Sequence, residues 1–223
     1  MLSSVAVHRY LQASNSALHR GEAQDPGPTP PAAEVASINR VVTSITEMPG
    51  VATASCEVET DAPAAPEPSA STTSGPSSTP TPTPSATGAF SYQISVIMDS
   101  DATTAQSTDV VFNMTKQLQN SHVNLELSAP QGSGHAESVI DYHDAFDAPV
   151  ARSTVAAVSQ AVSVATAVEG VASVHVTVPY TWNISSGDLQ VQFAPGGDHH
   201  PSGALKTALK RTALAGVKWN ATR

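Results

Sequence analysis

The sequence predicts an α+β protein built from two tandem copies of one β-α-β-β-α-β unit, with the helices on one face of each sheet. Three observations lead to this prediction. Residues 35–58 and 155–178 are identical at eight of 24 positions, at a constant offset of 120. Helical and strand periodicities alternate along the chain. A break in composition at residues 61–89, where 19 of 29 positions are Pro, Ser or Thr, interrupts only the first copy.

The second half of the chain carries the repeated unit most plainly. Val155, Val158 and Val162 share one helix face, and residues 171–178 are rich in Val and Thr, which favour strands. In chain order this half predicts strand 138–146, helix 150–168, strand 171–178, strand 188–193, helix 202–215 and strand 217–222. This order matches the ferredoxin-like sandwich, in which two helices cover a four-stranded antiparallel sheet.

The first half predicts the same order with its first strand in doubt, because residues 3–12 alternate only loosely. Its remaining elements are helix 34–47, strand 51–59, strand 91–98, helix 102–119 and strand 122–128. Residues 61–89 then form a hairpin insertion, for which the composition predicts extended, polyproline-type conformations. We expect the copies to span residues 1–130 and 136–223. If residues 3–12 do not supply the first strand, the open sheet edge favours pairing with another chain.

Charge and composition exclude several classes of protein. The formal net charge of −9 repels phosphate backbones, so we expect no nucleic-acid partner. Cys56 is the only cysteine, which excludes an internal disulfide and a cysteine-based zinc site. No stretch reaches the roughly 18–20 apolar residues of a transmembrane helix. The Ala-rich, Lys-poor composition is typical of high-GC bacteria.

The compartment stays open at the sequence level. The first residues lack the basic start and apolar stretch of a secretory signal. The Thr/Pro-rich segment nevertheless resembles the spacers of exported proteins. It therefore favours an extracytoplasmic location if a leader precedes this start.

Histidine and aspartate residues in two loops of the second copy predict a candidate metal site. In a ferredoxin-like sheet we expect the first and third strands to be parallel neighbours, so that the loops after them lie at one end. Imidazole and carboxylate groups are suitable ligands for Zn²⁺, Ni²⁺, Cu²⁺ or Mn²⁺. No resident cofactor is otherwise expected. The candidate ligands are His143, Asp144, Asp147, Asp198, His199 and His200.

Helix capping is the competing interpretation of the same loops. Asp147 precedes Ala148-Pro149 and fits a helix N-cap with the proline in the first turn. Ser202 fits the cap of the next helix, which leaves the neighbouring histidines solvated. In the first copy the corresponding loop holds Asp99 and Asp101 without a histidine, which favours helix capping by aspartate in both copies.

The segment after each repeated helix, such as Gly170-Val171 followed by Val174 and Val176, resembles the small heavy-metal-associated domains. The resemblance covers about 35 residues in each copy and implies a ferredoxin-like fold. The family's cysteine pair between first strand and first helix is absent, and His143 and Asp147 stand there instead. The resemblance therefore does not supply the family's metal-binding motif.

Three function classes follow from the sequence. The first is a non-enzymatic interaction module, in the cell envelope if the chain is exported, with a protein partner. The second is a metal-binding domain pair that uses the His/Asp loops. The third is a small-molecule-binding or catalytic sandwich, with its pocket on the helix-free sheet face or between the copies. The strands carry Gln and Ser rather than paired titratable groups, which favours a non-enzymatic role. The oligomeric state is left open.

Overall fold

The computed structural model describes residues 29–61, 89–118, 122–132, 134–179, 181–195 and 202–222. Within them the chain forms a mixed α/β fold with one seven-stranded sheet and four α-helices. The order of helices and strands agrees with the order predicted from periodicity. The elements are α1 (Ala32–Thr46), β1 (Val51–Asp61), β2 (Ala89–Met98), α2 (Thr104–Gln117), β3 (Val123–Ala129), β4 (Glu137–Tyr142), α3 (Arg152–Thr166), β5 (Val171–Val178), β6 (Asp188–Phe193), α4 (Ser202–Leu209) and β7 (Lys218–Thr222).

The seven strands lie in the sheet in the order in which they occur in the chain. Strands joined by a loop are antiparallel (β1–β2, β3–β4 and β5–β6), whereas strands joined by a helix are parallel (β2–β3, β4–β5 and β6–β7). The β3–β4 pairing places Leu127 opposite Ile140 and carries the sheet across the predicted copy boundary. The two halves therefore share one sheet, and their division into domains stays a prediction.

The tandem ferredoxin-like sandwich is not confirmed. In that arrangement a helix carries the chain past a neighbouring strand position, and the four strands form a separate antiparallel sheet. Here each helix that joins two strands connects direct neighbours, and the sheet is mixed. The β3–β4 pairing replaces the two separate sheets that the element order suggested.

One face of the sheet is apolar and carries the helices. Each of the four helices contributes buried residues to the same core as this face, among them Ile45, Met114, Val158 and Leu205. Successive side chains along a strand point to opposite faces of the sheet. The opposite, helix-free face carries mostly polar side chains, with Ile97 and Val139 among the apolar exceptions. A row of paired apolar residues crosses the sheet at Ala54, Val96, Leu127, Ile140, Val176, Leu189 and Trp219.

The crossovers through α2 and α3 have opposite hands. Both move the chain one strand along the sheet in the same direction, and both helices lie on the same face. However, β4 runs antiparallel to β3, so the strand direction reverses between the two crossovers. One of the two is therefore left-handed, against the strong right-handed preference of β-α-β units.

The two segments that are alike in sequence are also alike in local geometry. Helices α1 and α3 are both 15 residues long, and Gly50 and Gly170 after them both have φ of 82°. Such a positive φ is accessible to glycine without steric cost. The pairing register shifts near the start of both following strands, after Val51 and after Val171. The chain order β1 to β3 is thus repeated as β5 to β7, while the wider tandem repeat stays a prediction.

Candidate functional site

A cleft of about 450 Å³ opens between α2 and α3, where the two predicted halves of the chain meet. Leu127, Ile140 and Val162 are among its apolar lining residues. Five hydroxyl side chains of the two helices also line the cleft, because small polar residues stand where the helices approach each other. These hydroxyls belong to Thr104, Ser107, Ser159, Ser163 and Thr166.

The loop between β2 and α2 carries two carboxylates of this cleft, Asp99 and Asp101, both exposed. Backbone hydrogen bonds fix the loop, since the N–H of Asp99 donates to the Gly50 carbonyl at 2.8 Å. Thr103 then caps α2 by accepting from the N–H of Gln106 at 3.3 Å. The reciprocal bond runs from the Thr103 N–H to Gln106 Oε1 at 2.7 Å. The expectation that Asp99 or Asp101 caps this helix is therefore wrong.

Ser159 is the least satisfied polar residue of the cleft. It is 4% exposed, and its Oγ is buried without a hydrogen-bond partner. A serine or threonine inside a helix often donates to a carbonyl of the preceding turn. Thr108 does so with the Thr104 carbonyl at 2.7 Å, and Thr166 with the Ser163 carbonyl at 3.1 Å. A buried hydroxyl without a partner costs free energy, so Ser159 leaves hydrogen-bonding capacity unused.

The charge of the cleft is negative. Asp99 and Asp101 lie at its exposed side, as does His135 of the β3–β4 connection. Among the described residues that line it, none is Lys or Arg. The cleft therefore offers carboxylates and hydroxyls above an apolar surface, which disfavours an anionic ligand.

The described residues of the predicted metal site, His143, Asp144 and Asp147, belong to no cluster of three or more potential ligands among the described residues. His143 Nε2 lies 2.9 Å from Asp141 Oδ2, and Asp141 is not one of the predicted ligands. Asp144 and Asp147 are exposed, and the Asp144 N–H donates to Asn124 Oδ1 at 2.9 Å. The other three candidates, Asp198, His199 and His200, lie outside the described residues.

The predicted convergence of the two loops assumed that the strands before them, β4 and β6, are parallel neighbours, and the structure does not have this arrangement. Strand β5 lies between β4 and β6, and β4 and β6 run in opposite directions. Tyr142, where β4 ends, lies opposite Val178, whereas Phe193, where β6 ends, lies opposite Val171 at the other end of β5. No group of three or more His, Cys, Asp or Glu in the described part of the chain could hold a metal ion. A divalent metal site stays a prediction without this geometric support.

The capping role of Asp147 is also not found. Helix α3 begins at Arg152, its N-cap residue is Ala151, and no side chain caps it. Asp147 lies four residues before that cap, because the chain first forms a turn held by Trp182. The indole N–H of Trp182 donates to the Ala145 carbonyl at 2.9 Å.

Sequence reasoning missed the cleft as a specific site. Ser159, Ser163 and Thr166 are spaced i, i+4 and i+7 on α3, a hydroxyl stripe on one helix face. That stripe was the available signal. Small residues on one helix face usually indicate close helix packing, so the stripe alone does not predict a cleft.

No known protein family, curated protein or solved structure matches this chain. None of the helices in the described ranges is long and apolar enough to span a bilayer.

Proposed function

We propose that this protein is a binding module that holds a small organic molecule in the cleft between α2 and α3. The observation that supports this proposal is the Ser159 hydroxyl, which belongs to the cleft lining and is buried without a hydrogen-bond partner. Buried polar groups of folded proteins nearly always have a partner, so this hydroxyl favours a ligand that supplies one. This is the small-molecule-binding class predicted from the sequence, with its pocket between the two halves. The interaction module and the metal-binding pair stay predictions.

The lining of the cleft combines apolar and polar groups from both halves of the chain. Leu127 of β3 and Ile140 of β4 are opposite each other in the sheet and supply part of the apolar surface. Ser107 of α2 and Ser163 of α3 supply hydroxyls from the two helices. Concave sites with an apolar surface and a few polar groups are typical of small-molecule pockets. A molecule with a hydrocarbon part and a polar group would therefore contact both halves.

The titratable side chains among the described lining residues favour binding over catalysis. Asp99, Asp101 and His135 are all exposed. Catalytic acids and bases are commonly tuned by burial and by close charged neighbours. Exposed groups keep their hydration, which suits the attraction of a ligand better than the transfer of a proton. The proposal is accordingly a non-enzymatic one.

Four probes of four carbons each, which differ in their polar end group, test the proposal without assuming a charge. They are butanol, butyramide, butylamine and butyrate. We expect at least one of them to shift the backbone amide resonances of Ser107 and Ser163 saturably in the full chain. The amide of Lys206 is the internal control, since it lies on α4, outside the cleft lining. Absence of a saturable shift at the lining residues with all four probes would contradict the proposal.

Two leucine substitutions on α2 assign the bound probe to the cleft. Ser107 is a partly buried lining residue, so Ser107→Leu fills space in the cleft. Ala105→Leu is the matched control, because it adds the same side chain at an exposed position of α2 outside the lining. We expect both variants to stay folded and only Ser107→Leu to lose the probe. Equal binding of the probe by the two folded variants would refute the assignment to the cleft.

A further inference from the structure

We infer that the cleft between α2 and α3 binds a short aliphatic amine that carries a second polar group at its other end. This inference rests on the proposed function, since it names the ligand class of the same cleft. The two can fail separately, because preferred binding of a neutral or anionic molecule there would support the function and overturn the amine. Its volume of about 450 Å³ lies within the range of about 300–1,000 Å³ of small-molecule pockets. Three properties of the lining determine the ligand class.

The first property is the negative charge. Asp99 and Asp101 line the cleft, and no Lys or Arg is found among its described lining residues. A carboxylate or phosphate would be repelled by these two groups, whereas an ammonium group would be attracted. An ammonium group also offers three hydrogen-bond donors to carboxylate and hydroxyl oxygens.

The second property is the apolar surface contributed by β3, β4 and α3. Leu127, Ile140 and Val162 offer aliphatic contacts and no hydrogen bonds. A hydrocarbon chain of a few carbons would be taken out of water there. A ligand that is polar along its whole length would lose its hydration without compensation.

The third property is the unused hydroxyl of Ser159. Its Oγ is buried and unpartnered, although the residue belongs to the cleft lining. A hydroxyl or second amine at the far end of the ligand would supply the missing partner. This second polar group distinguishes the inferred ligand from a simple alkylamine, which would leave the Ser159 hydroxyl without a hydrogen-bond partner.

Four probes of equal chain length test this inference by calorimetric titration of the full chain at low salt. They are 4-amino-1-butanol, butylamine, 1,4-butanediol and 4-hydroxybutyrate. We expect affinity to fall in that order, because the second probe lacks the far polar group, the third lacks the charge and the fourth reverses it. Saturable binding of the diol or the hydroxy acid more tightly than of the amino alcohol overturns the inference. So does the absence of saturable binding by either amine.

Matched variants assign the binding to the cleft. Ser159→Ala should lower affinity for the amino alcohol roughly two- to tenfold and leave that for butylamine unchanged. Asp99→Asn with Asp101→Asn should lower affinity for both amines by about fivefold or less per carboxylate. The control, Glu57→Gln with Glu59→Gln, removes the same two charges at exposed positions of edge strand β1 outside the cleft. An equal loss in the control pair overturns the inference, since it would show attraction by net charge alone.

A variant that fills the cleft tests whether a loss of amine binding is caused by misfolding. Ser163 lines the cleft and is only partly buried, so Ser163→Leu adds volume without disturbing the core. We expect this variant to keep its melting temperature and to lose binding of both amines. Unchanged amine binding in a folded Ser163→Leu protein would place the amines elsewhere and overturn the inference.

Discussion

The guanidinium of Arg152, at the start of α3, binds the carboxylate of Asp109 on α2. Arg152 Nε lies 3.1 Å from Asp109 Oδ1, and Nη2 contacts the same oxygen. The pair joins the two halves of the chain on the helix layer, as the β3–β4 ladder joins them in the sheet. Both side chains are about half exposed, at 51% and 50%, so water and salt weaken the attraction.

A double-mutant cycle with Arg152→Ala and Asp109→Ala should give a small coupling free energy. We expect about 0.2–1 kcal/mol at low salt, because the pair is exposed, and a smaller value at high salt. Urea unfolding of the four proteins measures it. Lys116→Ala is a matched control, since Lys116 lies over the Phe112 ring within α2 and should show no coupling to Arg152. A coupling above about 2 kcal/mol, or one indifferent to salt, would contradict this assignment.

Replacement of Gly132 by alanine should destabilise the fold by more than about 1 kcal/mol. A Cβ at this position would lie 2.2 Å from the Ser100 carbonyl oxygen, so the β2–α2 loop or the β3–β4 connection must move. Thermal or urea unfolding measures the loss. The control is Gly203→Ala in α4, where a Cβ meets nothing within 4 Å. That substitution should stabilise the protein by up to about 1 kcal/mol, because alanine favours helix. Similar losses at both positions would refute the steric argument.

Tyr142→Phe should leave the free energy of unfolding unchanged or raise it by about 1 kcal/mol. The Tyr142 hydroxyl is buried without a hydrogen-bond partner, while its ring contacts Trp182 at 5.4 Å between centroids. The substitution keeps the ring contact and removes only the unsatisfied group. Chemical unfolding of the two proteins at neutral pH is the measurement, and a loss above about 1 kcal/mol would reveal an unrecognised partner.

The same variant should change the response to alkaline pH. Burial raises the pKa of Tyr142 well above its ordinary value near 10. The unfolded chain then releases this proton before the folded protein does. The associated stability is present in full below about pH 10 and is lost as the pH rises above it. Tyr142→Phe should therefore lose less stability than the unchanged protein in that range. If the free energies of unfolding of the two proteins fall equally with rising pH in that range, the pKa of Tyr142 is not raised.

Cys56 should react slowly with iodoacetamide until strongly alkaline pH. Burial, and to a smaller extent the neighbouring carboxylate of Glu57, raise the pKa of this thiol to about 11 from 9.0. Since the thiolate is the reactive form, the folded protein should react roughly hundredfold more slowly than the urea-unfolded chain at neutral pH. Glu57→Gln should raise the rate only slightly, because the carboxylate is the smaller cause. An inflection of the rate near pH 9 in the folded protein would disprove this prediction.

Periodicity was sufficient to predict the elements but not their arrangement. The alternation in β5 and the helical spacing in α3 are local properties, and strand 171–178 has the predicted bounds. The strand order depends on whether a helix returns the chain to the adjacent position or to the next one. Nothing in residues 152–166 distinguishes these two routes. The β3–β4 pairing that settles the order forms between segments predicted to belong to separate copies.

The candidate site was harder to predict for the same reason. His143 and Asp147 carry side chains that suit a metal, yet β4 and β6 end at opposite ends of β5. Ser159 is unremarkable in the sequence, and becomes informative only once α2 lies against α3. A site that depends on two helices from different halves cannot be found before their contact is known.

The position of β4 has a consequence for unfolding. β4 pairs in parallel with β5 on one side and antiparallel with β3 on the other. Separation of β3 from β4 would therefore leave two unpaired strand edges in the middle of the sheet. We consequently expect the two halves of the sheet to lose their structure together, in one cooperative transition.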